Sequence, residues 1–277
     1  MLTSGILILV LVYVVALVWI NIKNRGGQRQ TTVFMRILTN YFQILTLASS
    51  YELNWQDTLK QFLEYVSIIS RSSEALLSID CLLRDNGYTM YPLYVKVIMC
   101  AILPVVLMAV AIVFWGVVNT LFKVELKRSL AITIIVLLFV SLPPITSITF
   151  TLLNCTNAFD DGNHYLSIDV GVTCWEGEHG RVSLQAAVPT ILLWIIGIPF
   201  FAFLILFRKR NQLQEPENIG TYGFLYIGLK PQTFYWEILL HFRKVALLCA
   251  NIFLTRFEPL YRALLGFILM ILYIELL

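Results

Sequence analysis

From Pro92 to Phe122 the chain carries one charged residue, Lys96. A water-soluble domain rarely holds so long a stretch without a polar face, whereas a bilayer requires about 20 apolar residues for each helical crossing. Similar runs recur at Met1–Ile20, Ser129–Leu153, Gln185–Phe207, Trp236–Leu254 and Leu260–Leu277. Inside hydrocarbon the backbone polar groups must be satisfied within the spanning structure, and runs of this length suit helices rather than barrel strands. The expected fold is all-α, a polytopic transmembrane helix bundle. Composition agrees, with 58% apolar residues, 13% charged residues and a mean hydropathy of +0.78. A net charge of +3 is too small to point to nucleic acid.

Basic loops set orientation. Lys23, Arg25 and Arg29 follow the first run, Lys123, Lys127 and Arg128 follow Phe122, and Arg208, Lys209 and Arg210 follow Phe207. The segment Asn154–Arg181 instead holds Asp160, Asp161, Asp169, Glu176 and Glu178 against one arginine. The basic loops share the cytoplasmic side when Thr32–Ser50 counts as a span. The N-terminus and the acidic loop are then extracellular or lumenal, in a plasma membrane or endomembrane, and the spans number about seven. Thr32–Ser50 is the weakest, because Arg36, Asn40 and Gln43 make one side polar. Its alternative is an interfacial helix, which would invert everything after it.

Residues 51–84 read as amphipathic helices between spans 2 and 3, with Asp57, Lys60, Glu64, Arg71, Glu74 and Asp80 on a solvated face. A cleaved signal peptide is the rival reading of the first run. No basic residue precedes that run, its apolar part is too long, and no small-x-small site follows. Two parts result: residues 1–31, the first span with its basic turn, and residues 32–277, the bundle. The chain stops at Leu277 inside an apolar run, as a piece of a longer protein would.

Function is sought in Gly220–Lys244, where an aromatic loop with Tyr222, Phe224 and Tyr226 enters an apolar run that still carries Glu237, His241, Arg243 and Lys244. On a helix Glu237, His241, Lys244 and Asn251 fall within roughly 80° of one another. Ionisable groups in a span face a bundle interior, a cavity or the interface rather than lipid. The stripe is thus a candidate cavity lining or buried polar network, with Glu237 the simplest partner for Lys244. Pro143 and Pro144 are expected to break their helix, with Thr146, Ser147, Thr149 and Thr151 satisfying the freed carbonyls. With Gly197 and Pro199 they form the candidate hinges.

Cys155 and Cys174 flank the acidic loop on the oxidising side and are the expected disulfide, with Cys81 as competitor. Cys100 and Cys249 read as buried packing residues. His164 and His179 share the loop, but the spacing matches no familiar zinc site, so no metal is expected. Asn154-Cys155-Thr156 matches a glycosylation acceptor, too close to the membrane to be used. No phosphate-binding glycine loop, nucleophile elbow or metal-binding His-Glu helix occurs, so neither enzymatic activity nor a cofactor is expected.

Several stretches resemble the TRP-like membrane module of large ciliate and other protist proteins, where it often follows a cysteine-rich ectodomain. They are Asn40–Trp55 (NYFQILTLASSYELNW), Leu76–Leu83 (LLSIDCLL), Tyr165–Trp175 (YLSIDVGVTCW), Ile195–Leu206 (IIGIPFFAFLIL) and, most specific, Tyr222–Lys244 (YGFLYIGLKPQTFYWEILLHFRK). The resemblance covers most of the chain after Thr31 and reaches distantly to fungal TRP-like membrane proteins. It implies a channel-like or transport-related role, with cations as candidate cargo. The alternative is a non-conducting receptor or anchor whose bundle carries an extracellular domain, and a lipid or small-molecule carrier is a third reading. The partners expected are the lipid bilayer, ions and further copies of the chain.

Overall fold

The computed structural model describes residues 15–16, 18–19, 29–51, 56–59, 61–62, 91–123, 125–157, 159, 162–254 and 257–275. Most of the first run, nearly all of residues 52–90 with Cys81, and Asp160 and Asp161 lie outside the described residues.

The described chain is mostly helical. Helix α1 spans Arg29–Ser49, α2 Pro92–Phe122 and α3 Leu126–Leu153. A helical rod, α4, runs Gly177–Arg208; α5 spans Pro216–Tyr226, α6 Trp236–Phe253 and α7 Pro259–Glu275. Three of these, α2, α3 and α4, are long and apolar enough to cross a bilayer. Helix α6 has the length, but Glu237, Arg243 and Lys244 interrupt its apolar run, and the apolar part of α7 is the shorter stretch Pro259–Ile271. Large apolar side chains such as Ile102, Val106, Val113 and Phe114 stand exposed along α2, as on a lipid-facing surface.

Helix α3 is the central post. The indole N–H of Trp115 in α2 donates to Thr133 Oγ1 in α3 at 2.9 Å. Near one end Ile145, Ile148 and Leu152 of α3 pack with Tyr94 and Val97 of α2 and Val182 and Trp194 of α4. Near the other, Ile132 and Val136 pack with Phe224 of α5, Val18 and Met35. This second end is basic. Arg128 Nε donates to Gly220 O at 3.1 Å, and a Cβ at Gly220 would sit 2.9 Å from the guanidinium carbon, so any larger residue there would make the arginine shift.

Four expectations are corrected. Pro143 and Pro144 do not break α3, which is helical from Leu126 to Leu153. Each proline removes one donor and leaves the carbonyl four residues earlier without it. The carbonyl freed by Pro143 is Phe139 O, and Gln43 Nε2 of α1 donates to it at 3.3 Å. The threonines do not repair this gap: Thr146, Thr149 and Thr151 donate to Leu142 O, Ile145 O and Ser147 O.

The acidic loop is not irregular throughout. It forms an antiparallel sheet of β1 (Cys155–Thr156), β2 (Tyr165–Leu166) and β3 (Asp169–Thr173) in the order β1-β2-β3. Its last residues, from Gly177, already belong to α4. The aromatic loop before the stripe is largely α5, with Phe224 and Tyr226 buried.

Candidate functional site: a polar seam between two helices

The stripe on α6 faces a matching stripe on α1. Arg36 Nε lies 3.3 Å from Glu237 Oε2, and Lys244 Nζ donates to Gln43 Oε1 at 2.5 Å. Asn251 Nδ2 donates to Ser50 Oγ at 2.9 Å. All three pairs share one sequence offset, 201 residues. A constant offset means that α1 and α6 run parallel and in register. The seven-residue step between pairs is the repeat of two helices crossing at a small angle. Leu47 and Leu248 belong to one apolar cluster and hold the same offset between the second and third pairs.

Arg36 is the clamp at the basic end. Its NH1 donates to Phe224 O at 2.9 Å and its NH2 to Ile227 O at 2.8 Å, where α5 ends. Helix C-termini leave carbonyls unbonded and carry partial negative charge, so a guanidinium there satisfies both needs. Glu237 sits in the first turn of α6, where a carboxylate is favoured by the same dipole. It also accepts from Asn40 Nδ2 at 2.7 Å. One guanidinium thus ties α1, the end of α5 and the start of α6, with both charged side chains 5% exposed.

The middle of the seam joins helices through proline. Gln43 satisfies the carbonyl freed by Pro143 and accepts from Lys244, whose ammonium lies 4.9 Å from the centre of the Phe139 ring. His241 repeats the device on α4. Pro199 offers no N–H to the carbonyl four residues back, Ile195 O, and His241 Nε2 lies 3.3 Å from that oxygen. A carbonyl only accepts, so His241 carries its proton on Nε2. Gly197 ends a π-helical stretch, Ile191–Gly197, just before Pro199.

The far end of the seam is closed by α7. Arg262 NH1 lies 3.3 Å from Asn251 O and 3.4 Å from its Oδ1, and Tyr51 OH donates to Leu247 O at 3.2 Å. Arg243 stands apart from the seam, half-buried, with Nε unpartnered among the described residues. The expected Glu237–Lys244 pair does not form, because Arg36 from α1 reaches Glu237 first and Lys244 lies two turns further along. Arg36, Gln43, Ser50 and Arg262 are the members the stripe alone did not reveal. The signal was present: Arg36, Asn40, Gln43 and Ser50 carry the spacing of Glu237, His241, Lys244 and Asn251.

At the opposite end of α3 the disulfide is Cys155–Cys174. Beside it His179, 2% exposed, has Nε2 3.0 Å from Leu152 O and accepts from Trp175 N at 3.0 Å on Nδ1. Cys155, Cys174 and His179 lie within metal-ligand reach of one another. Both thiols are consumed by the bond and both imidazole nitrogens by backbone, so the cluster acts as a structural junction between α3 and α4. His164 is exposed and does not join it.

Among the described residues the buried ionisable side chains of the seam are Arg36, Lys244 and Arg262 against Glu237 alone. With all of them charged, the described part of the seam is net positive.

No family model matches the chain, and no solved structure matches it. The chain is similar to Cysteine repeat modular protein A of Toxoplasma gondii, 22% identical over a 312-residue alignment that covers 87% of this chain. The chain spans about a tenth of the length of that curated relative. The TRP-like likeness rests on the sequence stretches quoted above.

Proposed function

We propose that this chain is the membrane-embedded module of a larger protein, a bundle of about seven spans that holds an extracellular or lumenal part without conducting ions. The observation that carries this reading is the pairing of the seam. The polar groups that would serve a cation are bonded to the facing helix, and the only buried acid among the described residues is shared by Arg36 and Asn40. A net-positive, low-dielectric interior repels a cation by several kcal/mol, about 4 kcal/mol for one unit charge at 4 Å and an effective dielectric of 20. The basic end, with Arg128 and Arg208–Arg210, is the cytoplasmic one, and the disulfide-bonded end is outside.

By its name the Toxoplasma relative is modular and carries cysteine repeats, and the match covers 10% of it. On this reading the bundle anchors a comparable cysteine-rich part here. Its partners are the bilayer and further copies of itself, and its role is structural rather than catalytic. The conducting, TRP-like alternative draws on one feature, the π-helical stretches of α4 beside Pro189 and Pro199, since such turns often mark moving segments. Bilayer recording from the full-length protein separates the two. The proposal expects no cation current above that of empty bilayers. A sodium, potassium or calcium current altered by Glu237→Gln would overturn it.

A further inference from the structure

Outside the seam, a cavity of ≈ 660 Å³ opens between the start of α1 and the connection from α5 to α6. Val33, Phe34 and Ile37 of α1 form one apolar wall, and Ile219 and Leu229 stand on the other. Its polar lining includes three exposed side chains, Gln30, Gln214 and Lys230, so the one charge among the lining residues is positive. From Gln30 to Ile37 the wall runs about 10 Å along α1, from the basic end toward the middle of the bundle.

The cavity is held in shape by Arg36 and by Gly228. Arg36 fixes Ile227 O against α1. Gly228 has φ +85°, and a Cβ there would come within 2.7 Å of the Val33 side chain, so the loop backbone touches α1 directly. Phe34 and Ile37 are each 60% exposed. Val18, from the first run, packs with Met35, Ile132 and Val136 on a different side of α1, roughly 150° from the cavity-facing residues. The described part of that run therefore does not cover the cavity.

An apolar slot of this size with a cationic, amide-bearing lining at the cytoplasmic end matches an amphiphile with an acidic head. We infer that the cavity seats one anionic glycerophospholipid from the cytoplasmic leaflet. Its phosphate meets Lys230 and the amides of Gln30 and Gln214, and one acyl chain lies along Val33, Phe34 and Ile37. The inference rests on the membrane orientation proposed above and not on whether the bundle conducts.

The test uses the purified full chain in detergent, offered equal amounts of palmitoyl-oleoyl phosphatidylserine and phosphatidylcholine, washed, and assayed for retained lipid by mass spectrometry. Phosphatidylserine is expected to stay at about one per chain and phosphatidylcholine, which lacks the net negative charge, to be retained about fivefold less. Lys230→Gln should lower retention about fivefold, the value of one surface cation. Ile37→Trp, which fills the slot, should abolish retention while the unfolding midpoint stays; Phe34→Trp serves if the first filler fails to fold. Excess inorganic phosphate should not displace the lipid, and displacement would show an anion site without a lipid tail. Equal retention of the two lipids by the parent, or undiminished retention by both fillers, would overturn the assignment. A wrong orientation is read separately, by protease access to the basic end in sealed vesicles.

Discussion

Replacing Glu237 by Leu tests the seam most sharply, because it leaves the Arg36 guanidinium buried with two carbonyls and no counter-charge. Stranding one member of a buried ion pair costs about 3–5 kcal/mol, and Arg36→Leu strands Glu237 at similar cost. The double change Arg36→Leu/Glu237→Leu removes both charges. It leaves Phe224 O, Ile227 O and the Asn40 amide short of partners, worth about 1–3 kcal/mol each where no water replaces them. The carbonyls are already stranded by Arg36→Leu and the amide by Glu237→Leu, so the double should be less harmful than the sum of the singles. Glu237 and Lys244 provide the control. They lie roughly 10 Å apart along α6, where two unit charges at an effective dielectric of 20 interact by about 1.5 kcal/mol, against about 5 kcal/mol at 3.3 Å. SDS-titrated unfolding of the purified protein in mixed micelles reads both cycles. A coupling between Glu237 and Lys244 larger than that between Arg36 and Glu237 would refute the pairing.

Gln43→Leu should destabilise by about 2–4 kcal/mol, since it strands both Lys244 and Phe139 O. The loss should shrink in a Pro143→Ala background, where the restored N–H retakes that carbonyl, and an undiminished loss in the same unfolding assay would remove Gln43 from that role. His241→Leu should likewise cost about 1–3 kcal/mol and less beside Pro199→Ala, with circular-dichroism melting as the readout. Reducing Cys155–Cys174, a pair separated by 19 residues, should cost about 3 kcal/mol, and Cys81→Ser should leave the bridge intact in non-reduced peptide mass spectra. A bridge containing Cys81 in the parent protein would contradict the assignment.

The helical membrane character was legible because long apolar runs leave few alternatives, and α2, α3 and α4 occupy three of them. The disulfide was legible from one shared loop. The polar stripe was legible on each helix separately, since Arg36, Asn40 and Gln43 repeat at helical spacing just as Glu237, His241 and Lys244 do. What joined them was not, because pairing across 201 residues depends on how the other spans bring α1 beside α6. The prolines misled for a related reason. Local chemistry says that Pro143 opens a gap in the helix ladder, and only the packed bundle supplies a glutamine from another helix to close it. Arg262 gave no signal, being a single charge at the start of an apolar run. The small sheet escaped notice because its strands, at two, two and five residues, are too short for an alternating pattern.

Whether the seam is a dry lock or a wetted path is decided by water access at Leu248, 4% exposed and placed between the polar pairs. Leu248→Cys, with Cys81 changed to Ser and Cys249, expected as a packing residue but in fact exposed, changed to Ala, is treated with a charged methanethiosulfonate reagent on both faces of the membrane, and modification is compared with the SDS-unfolded protein. A dry lock gives no modification in the folded state and full modification once unfolded. Rapid labelling of the folded protein from either face would contradict it and return the conducting reading.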